Sequence, residues 1–107
     1  MGKNNKKKEK YYFDRTINQS NNLKITLGRI ANSEFSGFED GDIIYFFVQK
    51  ADKEVSTLYF ANYDNFNADE YIFVDKIMLL NLKNEVNFTD FYKNMQKKLT
   101  EIKNVNS

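Results

Sequence analysis

Gly41-Asp42-Ile43-Ile44-Tyr45-Phe46-Phe47-Val48 is the most apolar run of an otherwise polar chain. Its six successive apolar residues, β-branched or aromatic and preceded by a Gly-Asp turn signal, predict a strand covered on both faces and therefore central in its sheet. Ile43, Tyr45 and Phe47 point one way and Ile44, Phe46 and Val48 the other, so each set needs cover.

Downstream, the charged loop Gln49 to Glu54 leads into Val55 to Ala61, where Val55, Thr57 and Tyr59 oppose Ser56, Leu58 and Phe60. That alternation predicts a hairpin with the central strand. Upstream, Tyr11, Phe13, Arg15 and Ile17 alternate with Tyr12, Asp14 and Thr16, and Leu23, Ile25 and Leu27 alternate with Lys24, Thr26 and Gly28. With the polar cluster Asn18 to Asn22 between them, these two segments predict a first hairpin. In the connection Ala31 to Asp40, Phe35 and Phe38 are expected to plug an edge of the core.

Tyr71 to Leu82 reads two ways. Asn67 with Glu70 resembles a capping pair for a helix, whereas Tyr71-Ile72-Phe73-Val74 favours a strand and the polar residues share no helical face. One strand, or two short ones, is the better reading. Phe88, Phe91, Tyr92, Met95, Leu99 and Ile102 form one apolar face of a C-terminal helix, with Asn87 as its expected N-cap and lysines towards its C-terminal end. The expected fold is therefore α+β: a mostly antiparallel sheet of about five strands, curled towards a barrel, packed against one C-terminal amphipathic helix. Residues 1–10 are expected to be a disordered basic arm, 11–103 a single domain and 104–107 a frayed tail.

The formal charge of +1 conceals an asymmetry: +4 over residues 1–10, +2 over 11–30, −8 over 31–92 and +3 over 93–107. Basic ends thus flank an acidic middle. The chain of 107 residues contains no cysteine and no histidine. Thiolate chemistry, disulfides, ordinary zinc sites and histidine-based general acid–base catalysis are closed to it. No cofactor is expected, and no Gly-rich phosphate loop exists, the four glycines being scattered. Glu39, Asp40 and Asp42 crowd one turn, and 64–70 is rich in oxygen ligands, but neither has the spacing that fixes a cation. Neither a secretory signal nor a membrane-length apolar run is visible, and a cytoplasmic location is expected.

Three functions are open. The leading expectation is non-catalytic nucleic-acid binding through Lys6, Lys7, Lys8 and Lys10 of the arm together with Tyr11, Tyr12, Arg15, Lys24 and Arg29 of the first hairpin, where aromatics would stack bases and cations hold phosphate. The alternative is a protein-binding inhibitor, or an immunity- or antitoxin-type protein of a mobile element. It would act through the acidic, aromatic middle at Tyr63, Asp64, Phe66, Asp69 and Glu70. A histidine-free ribonuclease using Arg15 or Arg29 is the third. An exposed sheet edge would allow a dimer. A Tyr-Tyr-Phe-Asp strand, a Leu-Lys-Ile-Thr strand, a further hairpin and a C-terminal helix are loosely similar in order to PUR-type nucleic-acid-binding domains. Gly41-Asp42-Ile43-Ile44 resembles the Gly-Asp turn of swapped-hairpin DNA-binding antitoxins. Neither resemblance rests on a specific motif, and no family membership follows from them.

Overall fold

The computed structural model describes residues 11–15, 22–64 and 66–106, with backbone alone for 11–15 and 106. Its elements are β1 (Tyr11–Arg15), α1 (Asn22–Ala31), β2 (Ile43–Gln49), β3 (Thr57–Ala61), β4 (Tyr71–Met78), α2 (Leu79–Leu82) and α3 (Glu85–Asn106). The strands form one open antiparallel sheet in the order β1-β3-β2-β4. The stretch at 43–48 is a central strand, as its composition requires, paired with β3 on one side and β4 on the other. The chain is thus α+β, with β1 and β4 at the sheet's two edges.

Two expectations are corrected. Among the described residues the sheet has four strands and does not close into a barrel, because Leu23 to Gly28 lies in helix α1 rather than in a strand. The first hairpin therefore does not exist; β1 pairs with β3, across the intervening helix in sequence. The loose similarity to the PUR-type order of elements falls with it. The physical reason lies in a second period hidden under the first. Leu23, Thr26, Leu27 and Ile30, spaced three, one and three apart, are the buried residues of α1, whereas Ile25 is 55% exposed. A strand would have placed Leu23, Ile25 and Leu27 on one face.

Below the sheet, Ile44, Phe46 and Val48 of β2, Leu58 and Phe60 of β3 and Val74 of β4 pack against Leu23, Leu27 and Ile30 of α1, Leu79 and Leu82 of α2 and Phe91, Met95 and Leu99 of α3. Phe46 is fully buried, 6.1 Å from Phe60 and 5.4 Å from Phe91 by ring centroids, and so joins two strands to the last helix. Phe38 and Phe35 close the side of the core against Phe60, at 6.1 and 5.1 Å.

The α3 face expected from the sequence is the buried one, but its cap lies one turn earlier. Asn84 Oδ1 accepts the backbone N–H of Asn87 at 3.0 Å, satisfying a donor that the first turn leaves unpaired. The segment 71–82 divides into β4 and the one-turn helix α2, whose first N–H groups, those of Leu79 and Leu80, donate to the carbonyls of Asp42 and Asp40 at 2.8 and 3.0 Å. Asp42 is itself buried; its carboxylate accepts the N–H of Glu39 at 2.8 Å and the amide of Asn62 at 3.4 Å.

Between β2 and β3, Asp52 Oδ2 accepts the N–H groups of Ser56 and Thr57 at 2.8 and 3.2 Å and the Ser56 hydroxyl at 3.1 Å. This clamp holds Val55, buried, at a φ of 51°, a conformation that β-branched residues rarely adopt.

Candidate nucleic-acid interface

Helices occupy one face of the sheet, and the other carries a concentration of rings. Register places Phe13 opposite Tyr59, Tyr59 opposite Phe47, and Phe47 opposite Phe73. One transverse row therefore has an aromatic residue on every strand. Phe47 and Tyr59 are near-parallel at 6.2 Å and 13°, and Tyr71 meets both edge-on at 5.2 and 5.3 Å. Phe66, from the excursion after β3, stacks on Phe47 at 5.0 Å and 13° and lies 6.3 Å from Phe73 at 18°. Phe47 is consequently only 2% exposed, while Phe73, at the β4 edge, is 42% exposed.

The face is sorted by charge as well as by ring. A register shift between Phe46 and Phe47 accommodates one extra residue in β4, so Val74 and Asp75 both lie on the helix side while Phe73 and Lys76 remain on the open one. Asp75 there binds Lys98 of α3 at 2.9 Å. Lys76 is exposed, opposite Tyr45 in register, with its ammonium 5.9 Å from that ring. Asp14 pairs with Leu58, a helix-face position, and Arg15 with Thr57, an open-face one. The charged strand positions of the open face are thus basic, among aromatic and a few uncharged neighbours, and the strand carboxylates belong to the other parity. Acids gather instead at the rim, where Asp64, Asp69 and Glu70 are exposed.

The sequence-predicted residues are only partly brought together. Lys6, Lys7, Lys8 and Lys10 lie outside the described residues. Tyr11 and Arg15 occupy open-face positions of β1, opposite Ala61 and Thr57, whereas Tyr12 is opposite Phe60, on the helix side. Lys24 and Arg29 sit on α1, in the other layer. Lys24 is exposed with its ammonium 6.0 Å from the Tyr92 ring. Arg29 donates to Glu34 at 3.3 Å and stacks on Phe35 at 4.6 Å. Of the alternative set, Phe66 belongs to the aromatic face and Tyr63 is half-buried. The N–H of Asp69 donates to Asn67 Oδ1 at 2.9 Å and that of Glu70 to the Asn67 carbonyl at 3.0 Å, so Asn67 organises a turn and not a helix start.

Tyr45, Phe47, Tyr59, Tyr71, Phe73 and Lys76 were not singled out from sequence as a site. Their signal was present as aromatics of one parity in three separate strands, legible only once the pairing is known. The carboxylates of the Glu39–Asp42 turn are engaged in the fold, Asp40 with Lys83 at 2.7 Å and Asp42 as above. Among the described residues no group of three or more acidic side chains could hold a metal ion, and no helix is long and apolar enough to cross a membrane. Comparison with protein-family models, with curated proteins and with solved structures finds no match for this chain.

Proposed function

We propose that the protein binds single-stranded nucleic acid on the open face of its sheet. The observation that carries this reading is the transverse row of aromatic positions Phe13, Tyr59, Phe47 and Phe73, in which Phe66 covers Phe47 and Phe73 is left exposed at the β4 edge, on a face whose charged strand positions are basic. Aromatic rings on a sheet stack unpaired bases irrespective of sequence, while neighbouring cations hold the phosphates. A duplex offers no such base faces, so the reading is of a single-strand binder. Residues 11–107 carry a net charge of −3, which makes the +4 of residues 1–10 the main source of long-range attraction. This reading differs from the site expected from sequence, in which a hairpin would have placed Lys24 and Arg29 beside Tyr11; those two residues lie instead on α1. The role is non-catalytic and suits a cytoplasmic protein.

Fluorescence anisotropy with labelled single- and double-stranded DNA and RNA, across a salt series, tests it. Single strands should bind more tightly than duplexes, and Phe73→Ala should weaken binding roughly 5- to 100-fold, the range for loss of one base–aromatic stack. Absence of binding to any single strand at low salt overturns the proposal. A second reading is favoured by Phe66, which already covers Phe47, and by the exposed acids Asp64, Asp69 and Glu70 beside it. In that case the face meets a basic protein surface, as an inhibitor or immunity-type protein would.

A further inference from the structure

We infer that a bound strand crosses the sheet from β1 to β4, at right angles to the β-strands, with about four nucleotides on the face and its phosphates on the Lys76 side; this rests on the nucleic-acid reading above and adds a path and a footprint to it. The path follows from the row. Register sets aromatic positions along the line Phe13, Tyr59, Phe47 and Phe73, and half-buried Phe66 stacks on Phe47 within that line. Tyr59, Phe47, Phe66 and Phe73, in that order, form a chain of near-parallel rings, with neighbours inclined by 13°, 13° and 18°. A strand running along a single β-strand would meet two aromatic positions at most and then leave the rings.

The footprint follows from width. Strands lie about 4.8 Å apart, so three gaps make a platform of about 14 Å. Stacked nucleotides advance about 3.4 Å each, which gives about four. That is the low end of the range for single-strand-binding sheets.

The side follows from charge. On one flank of the row, register aligns Tyr11, Ala61, Tyr45 and Lys76, whose ammonium is exposed. The other flank has Arg15 at its β1 corner, but at its β4 corner Tyr71 follows the exposed Asp69 and Glu70, with Lys50 N–H bonded to the Glu70 carbonyl at 2.8 Å. Phosphates would be repelled from that corner.

The test uses the full chain with oligothymidylates from about two to about twelve nucleotides, measured by competition anisotropy, and the variants Lys76→Gln and Lys50→Gln, checked for folding by circular dichroism. Affinity should rise steeply to about four nucleotides and then only slowly, and Lys76→Gln should reduce the slope of log affinity against log salt by about 0.7 while Lys50→Gln leaves it unchanged. Affinity that climbs steadily to about ten nucleotides overturns the footprint while leaving single-strand binding intact. A slope that responds to Lys50→Gln and not to Lys76→Gln overturns the side. Absence of binding at every length overturns the nucleic-acid reading and the footprint with it.

Discussion

Replacing Asp52 by alanine should unlock the β2–β3 turn and cost the protein about 2 kcal/mol. In the native turn one carboxylate receives the N–H groups of Ser56 and Thr57 and the Ser56 hydroxyl, at 2.8 to 3.2 Å. A hydrogen bond to a charged acceptor contributes about 1.5–3 kcal/mol when buried. Asp52 is half-buried, so water can reach part of the site and replace part of the loss. Val55 contributes in both directions, since releasing its φ of 51° recovers about 1–2 kcal/mol of strain while withdrawing its buried side chain loses a comparable amount. Released, Val55 would relax and withdraw a buried side chain. For a domain of this size, about 2 kcal/mol corresponds to a fall in Tm of roughly 8–16 °C, readable by circular dichroism. Asp52→Asn keeps one acceptor oxygen and should recover at least half of the loss. A fall below about 3 °C for Asp52→Ala, or an equal fall for both variants, would refute the clamp as the origin of the turn's stability.

Phe46→Ala removes the ring that joins β2, β3 and α3, and should cost about 3–5 kcal/mol. That is enough to shift a urea unfolding midpoint strongly or to abolish the native baseline. Asn84→Ala removes the side-chain cap of α3 and should cost about 1 kcal/mol, whereas Asn87→Ala, at the position the sequence suggests for the cap, should cost no more than about 0.5 kcal/mol in the same denaturation assay.

How far the fold could be read in advance depended on whether one period or two fitted each segment. At 43–48 no helical reading competed, and the central strand and its hairpin with β3 emerge where expected. At 88–102 the apolar spacing fits a helix alone, and Phe91, Met95 and Leu99 are buried as that spacing requires. Leu23 to Ile30 satisfied both periods. Its alternation at 23, 25 and 27 concealed the helical set Leu23, Leu27 and Ile30, and the decisive fact, that Ile25 faces solvent, is a tertiary one. The site was less legible for the same reason. Tyr45, Phe47, Tyr59, Tyr71 and Phe73 are distant in sequence, and each had a sufficient explanation as ordinary strand core.

The extra residue in β4 joins these threads. Without the shift between Phe46 and Phe47, strict alternation from Phe73 would place Asp75 on the aromatic face and Lys76 on the helix face. The carboxylate would then lie among the rings, and Lys98 of α3 would lose its partner across the core edge. The extra residue sends Asp75 to Lys98 and Lys76 to Tyr45 in one step. A local irregularity of one edge strand thereby keeps the Asp75 carboxylate off the open face and leaves the Lys76 ammonium on it.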